Sequence, residues 1–267
     1  MRVPPILLST SSCYPESTES CFADAARLGY DGVEVMVWKW PETRDPGRLN
    51  ALAEQYGMPV LAIHSPTLLL TQRVWGSDAW GKIDRSVELA EAVGAEVVVV
   101  HPPFRWQREY ASGFVEGIAR RQAATDVKLS VENMFPWKAR AKDASRTKER
   151  HAYLPHWDPV ELGYENVTLD LSHAGIAGQD SLEMAAQLAG RLAHVHLTDS
   201  TGSNRDEHLT PGRGTQPCRE LLQALPGLGF TGSVAVEVTT RKMGPADREA
   251  ALTESLAFAR DHLPSFG

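Results

Sequence analysis

Cysteine is scarce and poorly spaced for a covalent or thiolate role. The 267-residue chain has three, Cys13, Cys21 and Cys218. An odd number without a Cys-x-x-Cys pair argues against a disulfide framework or a zinc-thiolate site and suits a reducing cytoplasm. Long hydrophobic runs are missing too. The longest near the N-terminus is Ile6-Leu7-Leu8, too short for a secretory core or a spanning helix, so a cytoplasmic protein with no membrane partner is expected. Positive charge is not in excess: 27 Lys and Arg against 34 Asp and Glu, net -7, give no overall field for nucleic acid, which is not favoured as a partner. No linker, low-complexity tract or repeat divides the chain, and residues 1–267 read as one domain. A Gly-rich phosphate loop is also lacking. The first β-rich run leads instead into Ser11-Ser12-Cys13-Tyr14-Pro15, which argues against an open dinucleotide-binding sheet.

What the chain does have is alternation. Eight short β-rich runs are expected as strands: Ile6–Thr10, Gly32–Met36, Val60–His64, Glu96–His101, Lys128–Glu132, Val167–Leu171, Ala193–Leu197 and Ser233–Val238. Several are continuously apolar, as strands buried on both faces are. Amphipathic helices are expected between them, among them Thr18–Leu28 before Gly29 and Asp78–Val93 before Gly94, each stopped by the glycine that helix ends favour. Eight βα units define a closed α/β fold, a single (β/α)8 TIM barrel. The long irregular stretch at about 134–158 is read as a loop after the fifth strand. It carries Lys138, Arg140, Lys142, Arg146, Lys148 and Arg150 against Asp143 and Glu149, a local excess of four positive charges.

Metal-ligand residue types recur at the C-terminal tips of the strands, where a barrel builds its active site. His64, His101, Glu132, Asp170, His196 and Glu237 end or nearly end six of the eight, and His173, Asp206 and His208 lie just beyond strand ends. Gathering so many carboxylates and imidazoles in one mouth is costly without a compensating cation. Imidazole with carboxylate and no thiolate suits Zn²⁺, Mn²⁺, Co²⁺ or Fe²⁺ rather than Ca²⁺. The same rim is rich in arginine and tryptophan. Arg73, Arg105, Trp106, Trp38 and Arg213 are expected to bind substrate, with guanidinium forks for phosphate and indole faces for rings. His194, one layer below His196, reads as a core residue.

With these residues in view the chain resembles the xylose isomerase-like barrel superfamily, which includes sugar isomerases and epimerases and the DNA-repair nuclease endonuclease IV. The resemblance spans nearly the whole chain. It is carried by Glu132-Asn133, by Asp170 to His173, by His196-Leu197-Thr198-Asp199, and by Asp206-Glu207-His208 followed by Gly212-Arg213-Gly214. The resemblance implies up to three zinc ions. One would sit on His64, His101 and Glu132; a second would share Glu132 and add Asp170, His196 and Glu237; a third would use His173, Asp206 and His208. Two departures weigh against recognition of abasic DNA. Thr67 stands where endonuclease IV has a tyrosine, and Met134-Phe135-Pro136 replaces its Thr-Ala-Gly.

Two chemistries are consistent with this set. The first, favoured narrowly because it employs all nine ligands, is multi-zinc hydrolysis of a phosphoester, with Glu132 positioning a metal-bridging hydroxide. The second is isomerisation or epimerisation of a sugar or sugar phosphate, in which Glu132 and Glu237 exchange a proton through an enediol. Either implies an anionic or polyhydroxylated small-molecule substrate, expected to be phosphorylated. A metal-dependent sensor or a subunit docked through the basic loop ranks last.

Overall fold

The computed structural model describes residues 3–67, 71, 73–140, 147–150 and 152–264. Among the described residues ten strands follow in chain order: β1 Ile6–Ser9, β2 Gly32–Met36, β3 Val60–His64, β4 Val97–Val100, β5 Lys128–Glu132, β6 Trp137–Arg140, β7 Thr147–Arg150, β8 Asn166–Asp170, β9 Leu192–Leu197 and β10 Ser233–Val236. Eight close into a barrel in the order β1-β10-β9-β8-β5-β4-β3-β2, every neighbouring pair parallel. The eight expected strands are these eight, with ends shifted by at most a few residues.

Runs such as Val97-Val98-Val99-Val100 are buried along their whole length. One face meets the helix layer and the other fills the barrel, which is why period-two alternation is weak. The helices stop where the glycines stand. Thr18–Leu28 opens on Ser17, whose hydroxyl accepts from the Ser20 amide, and closes at Gly29 with φ +90°, a conformation that costs glycine nothing. Ala79–Val93 ends in the same way at Gly94. Among the described residues no helix is long and apolar enough to cross a membrane.

The stretch 134–158 is not wholly irregular. β6 and β7 pair antiparallel as a hairpin within it. Of the basic residues, Lys142 and Arg146 lie outside the described residues. Past the hairpin, chain from this loop joins the loop after β4. Arg105 N–H donates to Ala152 O at 2.8 Å and Leu154 N–H to Pro103 O at 2.8 Å, with Phe104 bridged to Tyr153. The rings reinforce the join: Phe104 stacks on Trp106 at 4.6 Å and on Tyr153 at 5.0 Å.

Candidate metal centre

Parallel register sets the height of each side chain in the mouth. Asp170 of β8 lies across from His196 of β9, and Thr168, two residues deeper, lies across from His194. Because side chains two apart share a face, His194 and His196 both point into the barrel at successive depths. Asp170 has a second task as N-cap of the helix Leu171–Ala177, accepting from the His173 amide at 2.8 Å. That turn fixes His173 three residues on. Asn133 ties β5 to β8, its Oδ1 accepting from Asp170 N–H at 2.6 Å and its Nδ2 donating to Asp170 O at 3.0 Å.

All nine predicted ligands come together. Glu132 is the hub. Its Oε2 lies 2.6 Å from His101 Nε2 and 3.4 Å from His64 Nε2, and its Oε1 lies 3.1 Å from His196 Nδ1 and 3.3 Å from His173 Nδ1. His196 Nδ1 is also 2.9 Å from Glu237 Oε2 and 3.6 Å from Asp170 Oδ2. Toward the rim, Asp206 joins His208 Nε2 at 2.9 Å to His173 Nε2 at 3.5 Å. Ligand atoms of His64, His101 and Glu132, of Glu132, Asp170 and His196, and of Asp170, His173 and His208 form trios lying within 4.8 Å of one another.

The imidazoles are oriented as ligands need to be. His64 Nδ1 faces Ser65 O, His173 Nδ1 faces Asn133 O, and His208 Nδ1 faces Glu237 O, at 3.2, 2.9 and 2.8 Å. A ring nitrogen facing a carbonyl must carry a proton, so the nitrogen turned toward the carboxylates is the one that offers a lone pair to a cation once the ring is neutral. His101 has neither nitrogen hydrogen-bonded, and Glu132 Oε2 and Asp170 Oδ2 are buried without a hydrogen-bond partner. His101 Nε2 and Glu132 Oε2 therefore crowd together without hydrogen-bond alignment, as two ligands of one cation would. His208 holds φ +43°, a conformation non-glycine residues adopt rarely. The donor set of neutral imidazole and carboxylate fits a divalent transition ion or Zn²⁺.

Without a cation the cluster neutralises itself by taking up protons. Burial would raise the Glu132 carboxyl, but the His101 and His196 rings hold it well below the usual range. Burial would lower His196 and His173, yet surrounding carboxylates, led by Glu34 and Asp170 respectively, carry both well above the free imidazole. His208 is pushed up to about 10: desolvation works against this, and Asp206 outweighs it. His101 goes the other way, lowered by burial.

Strand-tip reasoning missed Glu34. It lies within β2, fully buried, with Oε2 2.9 Å from His194 Nε2 and 3.1 Å from His196 Nε2. The signal was a lone carboxylate inside the apolar run Gly32-Val33-Glu34-Val35-Met36. His194 is buried, as expected, with its Nδ1 2.8 Å from Ser233 Oγ, and it forms with Glu34 and His196 a further trio of ligand atoms within 4.8 Å of one another. Asp199 of the His-x-x-Asp motif is a loop clamp. Its carboxylate accepts from the amides of Ser200, Gly212, Gly214 and Gln216, and its backbone pairs with Leu209, so it fixes the loop that carries Asp206 and His208.

The arginines expected to bind substrate are placed elsewhere. The cavity over the cluster, about 270 Å³, is walled by Met36, Phe104, Met134, Phe135, Trp137 and Tyr153 together with cluster residues. No Lys or Arg lines it among the described residues. Arg213 pairs with Glu254 of the C-terminal helix Pro245–His262 at 2.5 Å. Arg73 and Arg105 are exposed on loops outside the lining. Trp106 is 50% exposed and meets the mouth through the cavity-lining rings of Phe104 and Trp137, and Trp38 lines a neighbouring hollow.

Fold and cluster together define a barrel enzyme scaffold with a polyvalent ligand set at its C-terminal mouth. The model of the xylose isomerase-like TIM barrel matches residues 22–262, and the chain belongs to that family. An uncharacterized protein of Mycobacterium tuberculosis is 48% identical over 270 residues, covering 96% of each chain. Fructoselysine 3-epimerase of Shigella flexneri is 23% identical over 247 residues, 84% of this chain and 86% of that protein. The solved structure of D-psicose 3-epimerase with D-tagatose from Clostridium cellulolyticum H10 superposes with a TM-score of 0.69 at 15% identity, covering 97% of this chain and 99% of that one.

Proposed function

We propose that this protein is a divalent-metal-dependent epimerase or isomerase of a polyhydroxylated carbonyl compound, a sugar or a sugar conjugate. The observation that carries the proposal is the pairing of Glu132 and Glu237 about one imidazole. The two carboxylates come from the far-separated β5 and the chain just beyond β10, and lie 3.1 and 2.9 Å from His196 Nδ1. Inverting a carbon beside a carbonyl needs a base on one side of a planar enediol and an acid on the other, and two carboxylates from strands three places apart in the barrel order would supply both. A bound divalent ion would polarise the carbonyl and its neighbouring hydroxyl; Glu132, Asp170, His196 and Glu237 would hold it. Ser11 Oγ donates to Glu237 Oε1 at 3.1 Å and steadies that carboxylate for proton transfer.

The names of relatives add support, since fructoselysine 3-epimerase and D-psicose 3-epimerase are both epimerases. Among the described residues no Lys or Arg lines the cavity, which supports a neutral polyhydroxylated substrate over a phosphorylated one. The test is incubation of metal-loaded protein with D-tagatose, D-psicose and D-fructose in deuterated water. Deuterium entering beside the carbonyl, and lost in Glu132→Gln, is expected; no exchange with any ketose would count against the reading.

Hydrolysis of a phosphoester stands as the second reading, favoured by one observation: His64, His101, His173, Asp206 and His208 extend the cluster beyond the four residues that epimerisation needs. Metal stoichiometry separates the two. One tightly held ion per chain supports epimerisation; three, with cleavage of bis(4-nitrophenyl) phosphate, support hydrolysis.

A further inference from the structure

Beside the metal mouth lies a second hollow of about 390 Å³, and the chemistry described above does not use it. The two cavities adjoin. Met36 lines both, and Ser11, on the wall of the hollow, donates to Glu237 of the metal cavity. Part of the hollow is apolar, since Tyr14, Trp38 and Trp40 give it three aromatic rings beside Met36. The indoles are held in place: Thr43 Oγ1 accepts from Trp38 N–H at 3.0 Å and lies 2.8 Å from Trp40 O.

The rest of the wall is polar and has spare hydrogen-bonding capacity. Among the described residues the hydroxyls of Tyr14 and Thr18 are unpaired. Thr10 Oγ1 accepts from Met36 N–H at 2.9 Å and keeps its own proton to give. One oxygen of Glu16 takes Arg248 at 2.8 Å, which leaves the other. The indole Nε1 of Trp38 is buried without a partner, and the guanidinium of Arg241 lies over the Tyr14 ring at 5.4 Å. Donors and acceptors therefore stand beside aromatic faces in one hollow. An occupant apolar throughout would strand them, and a buried donor left unmet, such as that of Trp38, costs free energy. An amino-acid zwitterion would find Arg241 for its carboxylate, but Glu16 is already neutralised by Arg248. A pyranose matches both halves of the wall: its C–H faces cover the rings, and each of its hydroxyls both donates and accepts.

We propose that this hollow is a subsite for a second sugar unit, so that the substrate is a ketose carrying a glycosyl group, with its carbonyl at the metal and the glycosyl ring in the hollow. The inference rests on the epimerase reading for the unit at the metal and deepens it by naming the substrate class.

Calorimetric titration of the metal-loaded protein with D-fructose, maltulose, isomaltulose and ε-fructosyl-lysine tests it. In both disaccharides a glucosyl group is joined to fructose, and the carbonyl and its neighbouring hydroxyl are not blocked. At least one of them should bind about ten-fold or more tighter than D-fructose, as a stacked ring with one or two hydrogen bonds would give. That ratio should fall to about two-fold or less in Trp40→Ala. It should fall by about three-fold in Tyr14→Phe, which keeps the ring and removes the hydroxyl. Trp40 is 37% exposed, so its truncation opens no core. Binding of none of the four, D-fructose binding as tightly as both disaccharides, tighter binding of ε-fructosyl-lysine, or a ratio unchanged in either variant overturns the proposal. The same sugars in deuterated water keep the two readings apart. A disaccharide preference with no exchange on any ketose leaves the subsite and removes the epimerase reading, whereas exchange on D-fructose without the preference does the reverse.

Discussion

His196 turns Nε2 toward Glu34 Oε2 at 3.1 Å, and this contact decides what its other nitrogen can do. With the proton on Nε2, the Nδ1 lone pair faces Glu132, Asp170 and Glu237. Glu34 never reaches the mouth, yet it selects the tautomer of a residue that does. Replacement of Glu34 by Gln should let an amide N–H face that ring and favour the wrong tautomer. The expected result is a folded protein whose metal affinity falls by about 10- to 100-fold, read by competition with a metallochromic chelator. Unchanged affinity would show that the contact is only structural.

Glu132→Gln and Glu237→Gln should separate the two proton-transfer roles. Each should lower turnover by about 10²- to 10⁴-fold, the usual contribution of a positioned acid or base. Glu237→Gln should still exchange the proton of one substrate epimer with solvent while failing to interconvert the pair. Mass spectrometry of the recovered sugar checks this, and full interconversion by either variant would remove that residue from the chemistry.

Metal uptake should release protons. His173, His196 and His208 are held protonated above their ordinary range in the metal-free cluster, and ligation requires the lone pair. Affinity for the ion should therefore rise with pH. The heat of binding should vary with the ionisation enthalpy of the buffer; a buffer-independent heat would show that the rings are already neutral.

The metal-free protein should follow the opposite trend. His208 titrates near 10 in the fold, against about 6.5 when unfolded. Its pairing with Asp206 therefore contributes fully below about 6.5 and is lost as pH rises through about 10. The denaturation midpoint of the metal-free chain should fall across that window, and His208→Asn should flatten the slope. A midpoint that rises with pH in both proteins would contradict the assignment.

Gly214→Ala should damage one part of the cluster and spare the rest. A Cβ there would press on Asp199 and on Ser200 O at 2.5 Å, loosening the clamp that fixes the loop of Asp206 and His208. Metal bound through Glu132 should persist while any ion held through Asp206 and His208 is lost, as anomalous scattering from crystals of the variant would show.

The fold was legible because two-sided burial leaves strands such as Val97–Val100 unmistakably apolar and because Gly29 and Gly94 stop helices where they stand. The nine cluster residues were legible because barrel geometry brings strand tips together wherever they fall in the chain. Glu34 was not, since it acts from one layer below the tips, where nothing in a single strand tells a buried carboxylate's partner. Arg73, Arg105 and Arg213 show the converse limit. Position after a strand end fixes where a loop starts but not which way its side chains face, and Arg213 found Glu254 on a helix more than forty residues away. The hairpin of β6 and β7 was missed because its charged sequence lacks the alternation that marks a half-buried strand.

The stitching of the chain around Phe104 to that around Tyr153 couples two loops that lie far apart in the sequence. Phe104 and Tyr153 both line the cavity over the cluster, and their segments are joined through Arg105 to Ala152 and Leu154 to Pro103. A change that loosens either loop would therefore displace the aromatic wall that the other contributes.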